Sequence, residues 1–397
     1  MSNIITDSAK IKELLERGVD EVIDKDSLAK ELATGRRLRV KLGIDPTSPR
    51  LHLGRSIPLL KLKDFQELGH QIIFIVGDFT GVIGDTSDKD SERPMLSPAL
   101  IKQNMKDYVR QAGKIINLKK CEIKYNSQWL KKLTYDKTGE QADQFSLAEF
   151  MARENIKKRL DEGRRVSLRE VLYPLMQGYD SVAIRADVEL GGTDQRFNLL
   201  AGRRLQEYFG QKPQNILMTP LMEGTDGRKM SSSWGNTIDL TDEPAEMFGK
   251  VMSITDDLII KYFTLATRAP SSDLIGMESQ LKAGANPRDV KARLAREIVK
   301  MYHGDKAAET ASAGFDKQFK EGQMPEEMET RQVERRAWEV VDLLAETKLA
   351  NSKSEARRLL EQGGVKIDGK KITSVGEVEV KSGMVISVGK RKFVRIR

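Results

Sequence analysis

The chain has a single cysteine, Cys121, and only three histidines, His52, His70 and His303. One thiol excludes an internal disulfide and any cysteine-rich metal centre. Cys121 reads instead as a small buried hydrophobe. Three scattered imidazoles are too few for a multi-histidine site, so no protein-held metal is expected. No apolar run reaches the length needed to cross a bilayer. The amphipathic start, with Ile11, Leu14, Leu15, Val19 and Val22 among acidic residues, is no secretion signal, and a cytoplasmic protein is expected. Aromatic residues make up 6% of the chain and charged ones 32%, which places its 397 residues among soluble globular proteins of two or three domains.

The net charge of +8 fits a polyanionic partner without requiring one. Its distribution says more. From Ala337 onward there are 13 Lys plus Arg against 8 Asp plus Glu, so a small basic module is expected at the C-terminus. That module is well punctuated. Ser352 caps a helix over 353–362 that Gly363-Gly364 ends, and Asp368-Gly369 is a hairpin turn between short strands. Arg357 and Arg358 on the helix, beside Lys366, Lys370 and Lys371, group cations in a way that suits RNA phosphates. An ordinary solvated basic surface is the alternative.

Toward the N-terminus, residues 37–43 alternate as a strand and break at Asp45-Pro46-Thr47-Ser48-Pro49. A helix over about 54–68, capped by Gly69, leads to the apolar strand 71–77. Strand, helix and buried strand make a βαβ unit and so a parallel sheet, whose ligands sit at strand C-termini and helix N-termini. Residues 110–165 read as a charged helical insertion. Residues 186–194 return to strand and turn before a helix to about Tyr208, and 236–316 are largely helical, with a start at Asn286-Pro287. Glu321 to Arg336 reads as a charged linker.

Ser167 and Glu170 form a capping box for a helix on which Tyr173, Gln177 and Asp180 share one face. A solvated polar stripe is the ordinary reading of such a face. Here Leu168, Val171, Leu172, Leu175 and Met176 clothe the rest of the helix, which argues for burial. A buried carboxylate needs a partner, so the face reads as a pocket for a small zwitterion. His52-Leu53-Gly54-Arg55, at the start of an earlier helix, could stabilise a phosphate gaining charge, with Thr47 beside it. The loop Asp226-Gly227-Arg228-Lys229-Met230-Ser231-Ser232-Ser233 could close over a leaving polyphosphate.

In their order and spacing these segments resemble those of bacterial tyrosyl-tRNA synthetases, class I aminoacyl-tRNA synthetases, over essentially the whole chain. His52–Arg55 is similar to the family's HIGH motif and Lys229–Ser233 to its KMSKS motif. The 173–180 helix is similar to its tyrosine-binding helix, Gly81–Asp85 and Gly191–Gln195 to two further signatures, and the tail to the RNA-binding module of small ribosomal subunit protein four. The resemblance implies a Rossmann-like α/β catalytic domain over 1–235, an α-helical anticodon-arm domain over 236–320, the linker 321–336, and a small α+β RNA-binding domain over 337–397. It implies that Asp85, Tyr173 and Gln177 hold the ammonium of tyrosine, Asp180 its phenol, and that Gln195 lies by its carboxylate. Gly43, Asp45, Gly54, Gly192, Asp194 and Met230 would line the ATP site. Thr47, His52, Lys229, Ser231 and Ser232 would act on the phosphates, with Lys89 and Arg93 helping to move pyrophosphate. ATP as a substrate, Mg²⁺ carried on its phosphates, tRNA(Tyr) and a homodimer are implied with them.

Three residues depart from the pattern. Arg55 replaces the second histidine of the first motif, Ser232 replaces the second lysine of the other, and Lys41 stands where many members place a tyrosine facing the phenol. The first two together move a cation from a mobile loop to a rigid helix start, so Arg55 is expected to take over part of the lysine's work. Three other readings compete. One is the tryptophan enzyme of the same class; another is a paralogue that keeps the fold and the pocket in an RNA-binding or regulatory role. The third is an enzyme that charges an acceptor other than tRNA, which only the transfer step would reveal.

Overall fold

The computed structural model describes residues 4–87, 95–320, 328–334, 336–350, 352–389 and 392–397. They form two compact units, Met1–Ala308 and Glu309–Arg397.

In the first unit six strands make one sheet. They are β1 (Glu21–Ile23), β2 (Arg39–Ile44), β3 (Gln71–Val76), β4 (Cys121–Tyr125), β5 (Val188–Gly192) and β6 (Asn215–Thr219). Their order is β1-β6-β5-β2-β3-β4, parallel throughout except for β1 against β6. The central strands are apolar because helices cover both faces; Val40, Ile72, Phe74, Val188 and Leu217 are fully buried. The expected βαβ unit is β2, the helix Leu53–Glu67 and β3. Gly69, at φ +96°, supplies the left-handed turn that ends the helix. The chain leaves β2 toward β3 and β4 on one side and returns to β5 on the other. The sheet therefore reverses direction between β2 and β5, where such sheets open a crevice at their carboxyl ends.

The segment read as a helical insertion contains β4, paired in register with β3. Its alternation of Glu122 and Lys124 with half-buried neighbours hid it, since an edge strand needs backbone partners more than apolar side chains. Cys121 begins that strand half-buried, bonded to Gln66. Beyond it come short helices, including Glu154–Asp161. Arg159 of that helix forms a buried ion pair with Glu170, and Glu170 closes the expected capping box with Ser167. Residues 238–240 lie along 51–53 through Leu53 N to Ile238 O and Leu240 N to Leu51 O, both backbone bonds. These residues, expected in a helical domain, thus brace the first motif. The helices that follow, Pro244–Met252 to Pro287–His303, fall in the first unit, and Asn286 caps the last of them.

The second unit has a five-stranded sheet built from β7 (Glu329–Arg331), β9 (Val365–Ile367), β10 (Lys370–Ile372), β12 (Val385–Val388) and β13 (Lys392–Ile396). Its order is β10-β9-β12-β13-β7, and β8 (Ala337–Glu339) pairs separately with β11 (Glu377–Glu379). Leu343, Leu344, Leu360, Val365, Ile386 and Val394 form its core. Asp368 and Gly369, both at positive φ, make the expected hairpin turn. The charged stretch read as a linker is therefore partly sheet, because β7 joins the edge of β13 through its backbone. Residues 321–327 and Arg335 of that stretch lie outside the described residues.

Candidate active site

The crevice between β2 and β5 opens into a cavity of about 490 Å³. Its closed end is made by the pocket helix Leu168–Ile184, from which Tyr173, Gln177 and Asp180 all reach the lining. Asp180 is 3% exposed. It accepts a hydrogen bond of 2.7 Å from the Trp129 indole and one of 3.3 Å from the Asn126 amide. Burial pushes the Asp180 carboxyl up to about 7, against the pull of Lys41 and of those two donors. The Tyr173 hydroxyl donates to Asp45 at 2.8 Å, and the other Asp45 oxygen accepts from Thr80 at 2.7 Å. Burial, then the charges of Asp45 and Asp85, drive the Tyr173 phenol well above its usual range, so it stays a donor. A Cβ at Gly77 would stand 1.9 Å from Asp45 Oδ1, which only glycine avoids.

The remaining amino-acid groups form a chain of amides. Asn198 donates to Oε1 of Gln177 at 3.1 Å and to Oε1 of Gln195 at 3.0 Å. The Gln195 amide in turn donates to Asp85 and to Ser87, each at 2.7 Å. The three groups expected around an ammonium thus line one cavity, with Tyr173 turned to Asp45 and Asp85 turned to Gln195. Lys41 is not in the lining. Its ammonium is fully buried behind the helix, bonded to Glu189, Ser181 and the Gln177 carbonyl. The position expected to face a phenol here faces the back of the pocket helix.

The other end of the cavity is lined by Thr47, His52, Gly54 and Arg55 from the β2 side and by Lys229, Met230, Ser231 and Ser232 from the loop. His52 is the N-cap residue of the Leu53–Glu67 helix, and a Cβ on Gly54 would meet its ring at 3.1 Å. The resemblance places Gly54 in the lining of the ATP site. In the structure the space beside it holds the His52 ring and Met230, whose sulfur accepts from the Gly54 amide at 3.3 Å. Arg55 is fixed by a 2.7 Å bond to the Tyr108 hydroxyl and a longer one to the Asp45 carbonyl. Lys229 pairs with Asp194 at 3.1 Å, joining loop to nucleotide side. A Cβ at Gly192 would come within 2.6 Å of Asp194 Oδ1, so a side chain there would push the Asp194 carboxylate aside. Gly43 lines the cavity with open space where a Cβ would be. Asn236 ties the loop together, accepting from the Ser231 amide and donating to Asp226. Lys89 and Arg93 lie outside the described residues.

Sequence reasoning missed Asn126, Trp129, Thr80 and Asn198. The first two follow β4, which was not recognised, and the others carry no motif of their own. In the second unit Arg357, Arg358 and Lys366 are exposed, as are Lys370 and Lys371.

A Rossmann-like sheet whose switch-point crevice joins a closed polar pocket to a cationic loop defines a class of enzyme, and the comparisons agree. Residues 33–320 match the family of class I tRNA synthetases (W and Y), and residues 340–386 match the S4 domain. The chain belongs to the class I tRNA synthetases of this family. Within it the full-length similarity is to tyrosine–tRNA ligases. That of Moorella thermoacetica is 47% identical over 96% of this chain and 94% of its own. That of Thermotoga maritima is 46% identical over 96% of each. Among solved structures, a tyrosyl-tRNA synthetase from Archaeoglobus fulgidus, complexed with L-tyrosine, shares the fold at a TM-score of 0.62. It is 21% identical and covers 77% of this chain and 100% of its own.

Proposed function

We propose that this protein is a tyrosine–tRNA ligase, which activates L-tyrosine with ATP and transfers it to the 3′ end of tRNA(Tyr). The observation that carries this is Asp180: a buried carboxylate at the closed end of the pocket, held by two donors and aimed at the cavity. Its oxygens can still accept from a phenol. A substrate without that hydroxyl leaves the carboxylate desolvated and underbonded, a heavy penalty. Asp85, Tyr173 and Gln177, bonded at present to Gln195, Asp45 and Asn198, turn to the ammonium, and Gln195 faces the attacking carboxylate.

That carboxylate attacks the α-phosphorus of ATP directly. A new P–O bond forms, the bond to the β-phosphate oxygen breaks, and pyrophosphate leaves with the electron pair. No enzyme nucleophile is needed, so catalysis rests on orientation and on charge stabilisation. Thr47, His52 and Arg55 act from the helix start; Lys229, Ser231 and Ser232 act from the loop. Gly43, Asp45, Gly192, Asp194 and Met230 line the ATP side. Mg²⁺ would be carried on the ATP phosphates, where it would neutralise charge on the leaving pyrophosphate. The nearby carboxylates Asp45 and Asp194 already have protein partners, which favours an ion carried by phosphate oxygens. In the transfer step a ribose hydroxyl of the tRNA attacks the tyrosyl carbonyl and AMP departs.

The S4-like unit, with Arg357, Arg358 and Lys366 exposed, supplies cations for tRNA phosphates. Residues 236–320 are proposed to meet the anticodon arm. The exposed apolar residues Tyr135, Leu147, Met151, Leu160 and Leu168 suit a homodimer interface in a cytoplasmic enzyme. The test is ATP–pyrophosphate exchange with each amino acid in turn. Exchange driven by tyrosine and not by phenylalanine or tryptophan is expected. Exchange driven by tryptophan, or by no amino acid, overturns the reading, the latter leaving the non-catalytic paralogue.

A further inference from the structure

Lys41 and Glu189 face each other in register on adjacent parallel strands, one fully buried and the other 1% exposed. Their ion pair is 2.8 Å long. The Lys41 ammonium spends its other two protons on the Gln177 carbonyl at 3.0 Å and the Ser181 hydroxyl at 2.8 Å. Glu189 accepts in addition from Ser181, Gln177 and Gln214. A buried charge normally requires such complete pairing, and replacing a pair of this kind with apolar residues is often neutral for stability. Stability alone therefore does not account for it. What the pair touches does. Gln177 and Ser181 are one helical turn apart and bracket Asp180, so the ammonium docks the very turn that carries two pocket residues.

We propose that Lys41 is a positioning residue for tyrosine selection: paired with Glu189, it anchors the 177–181 turn and so holds Asp180 in place as the acceptor for the phenol. This rests on the reading of Asp180 as the partner of the phenol. The charged and titratable groups around that end are Asp45 at the end of β2, Asp85 after β3, Tyr173 on the same helix, Glu189 on β5 and Lys41 on β2. Lys41 supplies the positive charge in this acidic group. Its field lowers the Asp180 pKa, whereas Glu189 raises it. The departure from the family's tyrosine thus exchanges a direct phenol contact for a charge that acts through Asp180.

The test compares Glu189→Gln with Lys41→Met/Glu189→Gln, reading kcat/KM for tyrosine activation from pH 5 to 9. With Glu189 neutral and Lys41 still charged, the acidic limb should move to lower pH than in the wild type. Removing Lys41 from that background should move the limb up by about one unit, which at pH 6 is ~10-fold in kcat/KM for tyrosine. KM for ATP should be unchanged, and selection against phenylalanine should weaken. A purely structural role would lower rates without moving the limb in opposite directions. Limbs that coincide with the wild type overturn the proposal. Should Glu189→Gln, which strands the Lys41 ammonium, fail to fold, an upward shift of the limb in Lys41→Met/Glu189→Gln relative to the wild type decides alone, because Lys41 acts on Asp180 more strongly than Glu189 does. Asp180→Asn separates the two ideas: unaltered tyrosine selection in that variant defeats the pocket reading itself, whereas lost selection with unmoved limbs defeats only the role of Lys41.

Discussion

The two ends of the cavity are built on opposite principles. At the amino-acid end, Asp180, Tyr173, Lys41 and Glu189 are buried and each has fixed partners: Asp180 has Trp129 and Asn126 just past β4, Tyr173 has Asp45, and Lys41 and Glu189 have each other. At the phosphate end the cations are partly exposed. Lys229 and Arg228 ride on a loop, Arg228 stacked over Trp234 and paired with Asp226. The contrast follows from what each end must do. Telling one hydroxyl from none needs a desolvated, preorganised acceptor. Stabilising a polyphosphate that forms and leaves needs charge that can move with it.

The largest expected effect breaks the contrast at its buried end. Asp180→Asn should lower kcat/KM for tyrosine in exchange assays by at least ~10³-fold, about 4 kcal/mol. Sites that reject a substrate for a missing hydroxyl discriminate by about 10⁴–10⁵, tyrosine enzymes of this class among them. The same variant has a stability signature. With its folded pKa raised to about 7 from 3.8, Asp180 contributes stability that is present below pH 4 and lost as pH rises through 7. Thermal unfolding between those values should therefore fall less steeply with pH in Asp180→Asn than in the wild type.

At the phosphate end the expected losses are smaller, because several cations share the work. Arg55→Ala should cost at least ~10-fold in exchange rate, about 1.4 kcal/mol, with KM for tyrosine little changed. Ser232→Lys should leave the rate near wild type or raise it. A harmless Arg55→Ala would show that Lys229 and Arg228 suffice and that the Tyr108 contact is only structural. Smallest of all, Arg357→Ala/Arg358→Ala should leave exchange untouched. It should weaken tRNA charging several-fold and reduce the salt dependence of tRNA binding by about two phosphate contacts.

Legibility in the sequence follows the same division. Segments whose chemistry is contiguous could be read directly: the turn after β2, the loop around Lys229, and the capped helix that aligns Tyr173, Gln177 and Asp180. The β2–helix–β3 unit was readable because Gly69 and the turn-forming Asp45–Pro49 punctuate it. What escaped was set by pairing across the sheet. Neither β4 nor the three-residue β1 announces itself, since both depend on neighbours for their hydrogen bonds. Asn126 and Trp129 were lost with β4. Lys41 was noticed as a departure, but its direction depends on Glu189, which lies 148 positions away in the chain and beside it in the sheet.

That in-register pair also constrains how such a pocket can change by descent. Losing either partner alone strands an ion in the interior at a cost of about 3–5 kcal/mol, a large fraction of what keeps a typical domain folded. Lineages should therefore carry both residues or neither, crossing between the two states only by a double step or on a background with stability to spare.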